Sequence, residues 1–233
     1  MGGSRTVKLR RILALVLLIQ LLGTLTSCGL LDRLGFDTYD YMSEPVIKTH
    51  DASGETAVML EDLLMILVTD SPVLPTFGNM AEAITNYRDA VLEYLLAGDY
   101  AKYSGNAKLI ERAVKEYPEY QITQVIPELE FESAMYRCFG GDVMISHEDG
   151  SKFRYLADAA VYIPMLAVAD SGYTADVTSL AETEKTYRVR FRVKSEPDTT
   201  GTVTESDEYF ALVIKREDGT LYIKKLLHGN EVK

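Results

Sequence analysis

Between residues 56 and 117, apolar side chains recur with the period of an α-helix. The first repeat places four leucines at the i, i+3, i+4 and i+7 positions: Leu60, Leu63, Leu64 and Leu67. Further along, Asn106 is placed to cap a helix and Pro118 to end it. The pattern predicts helices over 56–69, 79–97 and 106–117, with a short helical turn over 98–103.

From residue 119 onward, the apolar pattern changes to the two-residue period of β-strands. Asp149-Gly150 and Asp218-Gly219 each stand between strand-like runs, which is the strongest short signal for a hairpin. Helices followed by such strands predict an α+β fold, with N-terminal helices packed on a curved antiparallel sheet. The predicted strands cover residues 120–126, 130–137, 142–147, 153–164, 172–179, 186–195, 205–216 and 220–227.

Residues 187–194 alternate between apolar side chains, which we predict to face a core, and a row of four positive charges. The basic row has two interpretations, a surface for an anionic polymer or a solvated sheet face. We favour the solvated face because Glu205 and Asp207 follow on the next predicted strand. There their carboxylates can lie opposite Lys194 and Arg192.

Residues 1–27 have the pattern of an export signal. Four basic residues stand near the start, an apolar run follows over residues 12–22, and small residues come next. The run is shorter than the roughly 20 residues that a membrane-spanning helix needs. We predict a cleaved signal peptide and general secretion, in preference to N-myristoylation at Gly2 or twin-arginine export through Arg10-Arg11.

The residues Leu25-Thr26-Ser27-Cys28 resemble the lipobox of bacterial membrane lipoprotein precursors, in which an aliphatic residue and two small residues precede a cysteine. The resemblance implies that a diacylglycerol is attached to Cys28 and that a peptidase recognises Leu25, Thr26 and Ser27 and cuts before Cys28. The protein would then be anchored by lipid to a cell membrane, on its extracytoplasmic side. The alternative is an ordinary secretory signal with a chance cysteine.

These signals divide the chain into a signal peptide over 1–27, a lipidated N-terminus and tether over 28–55, and a single α+β domain over 56–233. The whole chain of 233 residues has a net charge of −11. Residues 1–27 carry four basic and no acidic groups, so the remainder has 20 basic and 35 acidic side chains and a net charge of −15. This acidic balance argues against a nucleic-acid partner, which needs a basic surface.

The sequence shows no motif for catalysis, metal binding or a cofactor. The three histidines, His50, His147 and His228, are far apart, and we interpret His147-Glu148-Asp149 as a solvated turn. No nucleophile motif and no glycine-rich phosphate loop is present. Cys138 is the second of the two cysteines, and we expect it to pack as a small apolar side chain on a half-buried strand rather than to act in catalysis or redox chemistry.

The order of the predicted elements resembles the cone-shaped, cystatin-like family similar to nuclear transport factor two. The resemblance rests on the helix that runs into Ala97-Gly98-Asp99-Tyr100 and on the final hairpin over 209–223, and it covers approximately residues 79–228. It implies a curved sheet and helices that enclose a pocket.

Three functions follow as hypotheses. The first is a surface-anchored module that binds or assembles an envelope protein partner. The second is a small-ligand binder or an enzyme that uses a pocket of the cone-shaped fold, and the third is the substrate-capture subunit of an importer. We favour the first because the anchor and tether have clear signals while catalytic motifs are lacking.

Overall fold

The computed structural model describes residues 39–68, 71–141, 145–166 and 172–232. The predicted signal peptide and the lipobox lie outside the described residues. The chain divides into one compact unit that ends at Ser43 and a second unit from Glu44 to Lys233. The described helices and strands all belong to the second unit. None of these helices is long and apolar enough to cross a membrane.

The described part of the second unit combines helices with antiparallel strands. Its helices are α1 (Glu55–Leu64), α2 (Met80–Gly98), α3 (Tyr100–Ser104), α4 (Ala107–Glu116) and α5 (Glu128–Phe139). Its strands are β1 (Lys48–His50), β2 (Ile126–Pro127), β3 (Phe153–Leu156), β4 (Val161–Pro164), β5 (Tyr173–Glu182), β6 (Thr186–Ser195), β7 (Tyr209–Lys215) and β8 (Leu221–His228). Short 3-10 turns follow α1 and β8.

The strands form two sheets, one of five strands in the order β1-β5-β6-β7-β8 and one of three strands in the order β2-β4-β3. Every pairing in both sheets is antiparallel. The predicted α+β class is confirmed. The strands are distributed over two sheets rather than the one sheet of the prediction.

The inner face of the five-stranded sheet and the helices enclose the main core, where α1 packs against β5 and α5 against both β8 and α2. Alternate side chains of β6, those of Val189, Phe191 and Val193, are fully buried in this core. The predicted alternation of β6 is therefore confirmed. A second, smaller core joins α4 to the three-stranded sheet, with Ala113 and Val161 fully buried in it.

The last four strands follow the predicted ones closely, and the turn at Asp218-Gly219 joins β7 to β8. Gly219 has a φ of 83°, a left-handed conformation that glycine adopts without strain.

The prediction of a strand over 130–137 is wrong, because these residues form most of α5. Its buried side chains include Phe131, Met135 and Cys138, whose i, i+4 and i+7 spacing is helical. Glu128 and Glu130 lie in the first turn, where acidic side chains stabilise the positive end of the helix dipole.

Three other strand predictions differ from the structure. The segment 120–126 contributes only its last residue to a strand. Residues 145–147 are in no strand, and residues 142–144 lie outside the described part of the chain. The segment predicted as one strand over 153–164 divides into β3 and β4 at a turn, in which Ala160 has a φ of 54°.

The predicted tether over 28–55 is wrong at its C-terminal end. The residues Lys48–His50 form β1 and pair with β5 at the edge of the large sheet. The buried carboxylate of Glu44 accepts a hydrogen bond from the hydroxyl of Thr183, which lies in the turn after β5. The stretch between Cys28 and the second unit is therefore the 15 residues from 29 to 43.

A three-residue ionic cluster ties β1 and β7 to the end of β5. The carboxylate of Glu182 lies 2.7 Å from Nε2 of His50 and accepts a hydrogen bond of 2.9 Å from Nζ of Lys215. These hydrogen bonds, from Lys215 first and His50 second, hold the pKa of Glu182 below its ordinary value of 4.5. The ionised form of Glu182 is therefore the form that the fold stabilises.

This cluster predicts a pH dependence of stability. Because the folded-state pKa of Glu182 is lowered, its contribution to the free energy of unfolding is fully present above the unfolded pKa of about 4.5 and is lost as pH falls through the folded pKa. Glu182→Gln should lower the free energy of unfolding at neutral pH. It should also reduce the loss of stability between about pH 5 and pH 3, measured by urea denaturation at each pH.

Glu184→Gln is the matched control, since this side chain lies two residues away and is exposed. It should leave the pH profile of the wild type unchanged. Parallel profiles for the wild type and Glu182→Gln would show that the cluster makes no pH-dependent contribution.

Candidate functional site

The sequence-predicted sites lie in different places. The lipidation site Cys28 and its recognition residues Leu25, Thr26 and Ser27 lie outside the described residues. Cys138 is buried on α5, and burial raises the pKa of its thiol to about 11. The expected packed thiol is confirmed, although on a helix rather than on a strand.

Three side chains of β6, those of Arg190, Arg192 and Lys194, form ion pairs with carboxylates, and Arg188 donates a hydrogen bond to the backbone carbonyl of Glu44. Glu205 lies 3.2 Å from Arg192 and 3.4 Å from Lys194, which confirms the predicted proximity of these three side chains. Arg190 pairs with Glu208 at 2.7 Å. Partly exposed pairs of this kind contribute little to stability, and they offset the charges of Arg190, Arg192 and Lys194. This pairing favours the solvated-face interpretation over a surface for an anionic polymer.

The histidines do not form a metal centre. Across the described ranges, no group of three or more histidine, cysteine or acidic side chains is placed to hold a metal ion. His147, however, lies in a cluster of aromatic and acidic side chains that the sequence did not indicate.

We call this cluster the His147 recess. α5 presents one glutamate at each end of a helical turn, with a phenylalanine between them, and β3 and β4 each add a tyrosine from directly paired positions. The side chains around His147 are Glu128, Phe131, Glu132, Tyr155 and Tyr162.

Both ring nitrogens of His147 have a polar partner in the recess. Nε2 lies 3.0 Å from Oε1 of Glu132, and Nδ1 lies 3.0 Å from the hydroxyl of Tyr162. Because a carboxylate only accepts hydrogen bonds, Nε2 is the donor to Glu132. The imidazole also stacks on the ring of Tyr155, with centroids 5.0 Å apart and planes 26° apart.

The two tyrosines of the recess are held in the neutral form. Burial and then the hydrogen bond to the carboxylate of Glu128 raise the pKa of Tyr155 to about 12. The side chain of Tyr162 is fully buried, and this burial raises its pKa well above the ordinary value. Neither phenol is therefore a source of phenolate at neutral pH.

His147 belongs to a segment, residues 145–152, that we call the strap. The strap crosses α2 and is bound there by the polar side chains of two consecutive residues, Arg88 and Asp89. Arg88 donates to Oε1 of Glu148 at 2.6 Å and to the carbonyl of Ser146 at 3.3 Å. The carboxylate of Asp89 accepts hydrogen bonds from the backbone and the hydroxyl of Ser151, at 2.7 Å and 2.6 Å.

The structure corrects two sequence interpretations of the strap. Asp149-Gly150 lies in an irregular loop and does not join two paired strands. The predicted solvated turn at His147-Glu148-Asp149 is wrong for His147, whose side chain is only 15% exposed, whereas that of Glu148 is 60% exposed. The helical spacing of residues 128–132 could have indicated that Glu128 and Glu132 lie on one helix face. The same segment also fitted the pattern of a strand, so the sequence did not bring these two residues together.

Comparisons with known protein families, with curated proteins and with solved structures found no match for this chain. The lipoprotein and cone-shaped-fold resemblances therefore remain predictions from the sequence.

The contact between α2 and the strap leaves no room for a side chain at Gly150. A Cβ atom on Gly150 would overlap Oδ1 of Asp89. The carboxylate cannot move away without losing its hydrogen bonds to Ser151 and Lys152.

Gly150→Ala should therefore destabilise the protein by about 1–3 kcal/mol, measured by urea denaturation, because overpacking displaces the strap from α2. Gly98→Ala is the control, since nothing lies within 4 Å of a Cβ there and its φ is not left-handed. Equal stability of Gly150→Ala and the wild type would show that the strap is not held closely to Asp89.

Proposed function

We propose that this protein is an extracytoplasmic binding module, anchored to a cell membrane through lipid on Cys28. The observation that carries the proposal is the order of the basic head, the apolar run and Leu25-Thr26-Ser27-Cys28, followed by a folded α+β domain. Two or more acyl chains give stable membrane attachment, whereas one chain gives only marginal binding.

Charge and chain length support a domain that stands away from the lipid. After cleavage before Cys28 the protein has a net charge of −15, which is repelled by anionic head groups. The 15 residues from 29 to 43 can span at most about 50 Å. The domain therefore has the reach and the charge to meet a partner near the membrane surface.

The chemistry of the His147 recess favours binding over catalysis. Both nitrogens of His147 are engaged within the recess. The tyrosines have raised pKa values, so neither supplies a phenolate at neutral pH. A general base or nucleophile needs a group that can reach a substrate proton or atom. No specific contact among the described residues supports the pocket-based hypothesis or the importer hypothesis.

Cys28→Ala tests the anchor. In cells supplied with labelled palmitate, the wild type should incorporate label and partition into detergent. Cys28→Ala should incorporate none, and it should either remain as uncut precursor or be released from membranes. The measurements are label incorporation, precursor size and detergent partition.

Cys138→Ala is the matched control, because Cys138 is buried on α5 and cannot carry the lipid. It should be labelled and partitioned like the wild type. A Cys28→Ala protein that is processed and partitions as the wild type does would overturn the lipoprotein assignment.

The binding role predicts a reproducible envelope partner. Cross-linking in intact cells, followed by affinity purification of the wild type, should recover the same protein in independent preparations. Cys28→Ala, released from the membrane, should recover much less of it. The absence of any reproducible cross-linked protein would count against a binding or assembly module.

A further inference from the structure

We infer that the His147 recess is a recognition site for an arginine side chain of a protein partner, and that His147 occupies this site in the free protein. The inference rests on the proposed binding function and names the chemistry that the site would recognise.

The recess has the features that bind a flat, nitrogen-rich group. The rings of Phe131 and Tyr162 are fully buried and lie 4.9 Å apart, and Tyr155 offers a stacking surface. The carboxylate of Glu132 and the hydroxyl of Tyr162 bind the two nitrogens of the present occupant. The site therefore combines an aromatic wall, a carboxylate and a phenol around one planar group.

A guanidinium group matches this set of partners. It is planar, donates several hydrogen bonds in fixed directions, and stacks on aromatic rings. Its charge adds a favourable interaction with Glu132, and Glu128 places a second carboxylate one helical turn away. A lysine ammonium lacks the plane and is more strongly hydrated, so it matches the recess less well.

The imidazole of His147 lies at the edge of the recess, where it can rotate out while the strap stays folded. The side chains of His147 and Glu132 are 15% and 28% exposed, so the recess reaches solvent at this edge. Rotation of the imidazole would open the site, while Arg88 and Asp89 still bind the strap at the neighbouring positions. The net negative charge of the protein attracts cationic groups to the surface.

The first experiment measures binding of N-acetyl-arginine methylamide to the full chain, purified in detergent, by calorimetry. His147→Ala should bind this probe about tenfold more tightly than the wild type, because the internal competitor is removed. N-acetyl-citrulline methylamide, the neutral isostere, and N-acetyl-lysine methylamide should bind more weakly. Adding Glu132→Gln to His147→Ala should remove most of the gain.

The inference is overturned if His147→Ala is folded by circular dichroism and binds the arginine probe no better than the wild type. Binding of the citrulline probe with equal affinity would overturn it as well. Both readouts use the recess alone, so they are independent of whether Cys28 carries lipid, and failure here leaves the anchor experiment standing.

A second measurement applies if His147→Ala does not fold. His147→Arg places a guanidinium in the recess from within the chain, and its thermal midpoint should stay within about 2 °C of the wild type. His147→Met supplies a flexible side chain without nitrogen, and its midpoint should fall by about 3 °C or more. Equal midpoints for the two variants would contradict a preference for a planar cation.

Discussion

The structure depends on the burial of one face of β6, the central strand of the five-stranded sheet. The side chains of Val189, Phe191 and Val193 face the helices and are fully buried. Each such side chain contributes roughly 1.5–3 kcal/mol on transfer from water to the core. A shift of one residue in the register would exchange these side chains for arginines, so the core fixes the pairing of β6 with both of its neighbours.

The sequence predicted correctly those parts of the fold in which the local residue pattern is compatible with only one type of secondary structure. The alternation of β6 and the Asp218-Gly219 turn are of this kind, because their pattern excludes a helix. The segment around Phe131 is compatible with two types of secondary structure. The spacing of Phe131, Met135 and Cys138 fits a helix, whereas the alternation of polar and apolar residues nearby fits a strand. In β1 the signal is absent altogether, because three polar residues become a strand only when β5 supplies the partner.

The recess could not be predicted for a related reason. Glu132 and His147 are 15 residues apart, and Tyr162 follows after another 15. Their proximity depends on where α5 ends, on the course of the strap over Arg88 and Asp89, and on the pairing of Tyr155 with Tyr162. None of these is a local property, whereas the lipobox is a contiguous motif and is visible without any fold.

The position of the recess follows from the two cores. β4 is buried on both faces: Tyr162 belongs to the main core, while Val161 and Ile163 belong to the smaller one. Phe131 brings α5 to the same place from the main core. The recess thus exists only when α5 and the three-stranded sheet are both docked in the native arrangement. A group bound in the place of the His147 imidazole would therefore bind the folded state and not the unfolded chain, and its binding energy would stabilise the junction of the two cores directly.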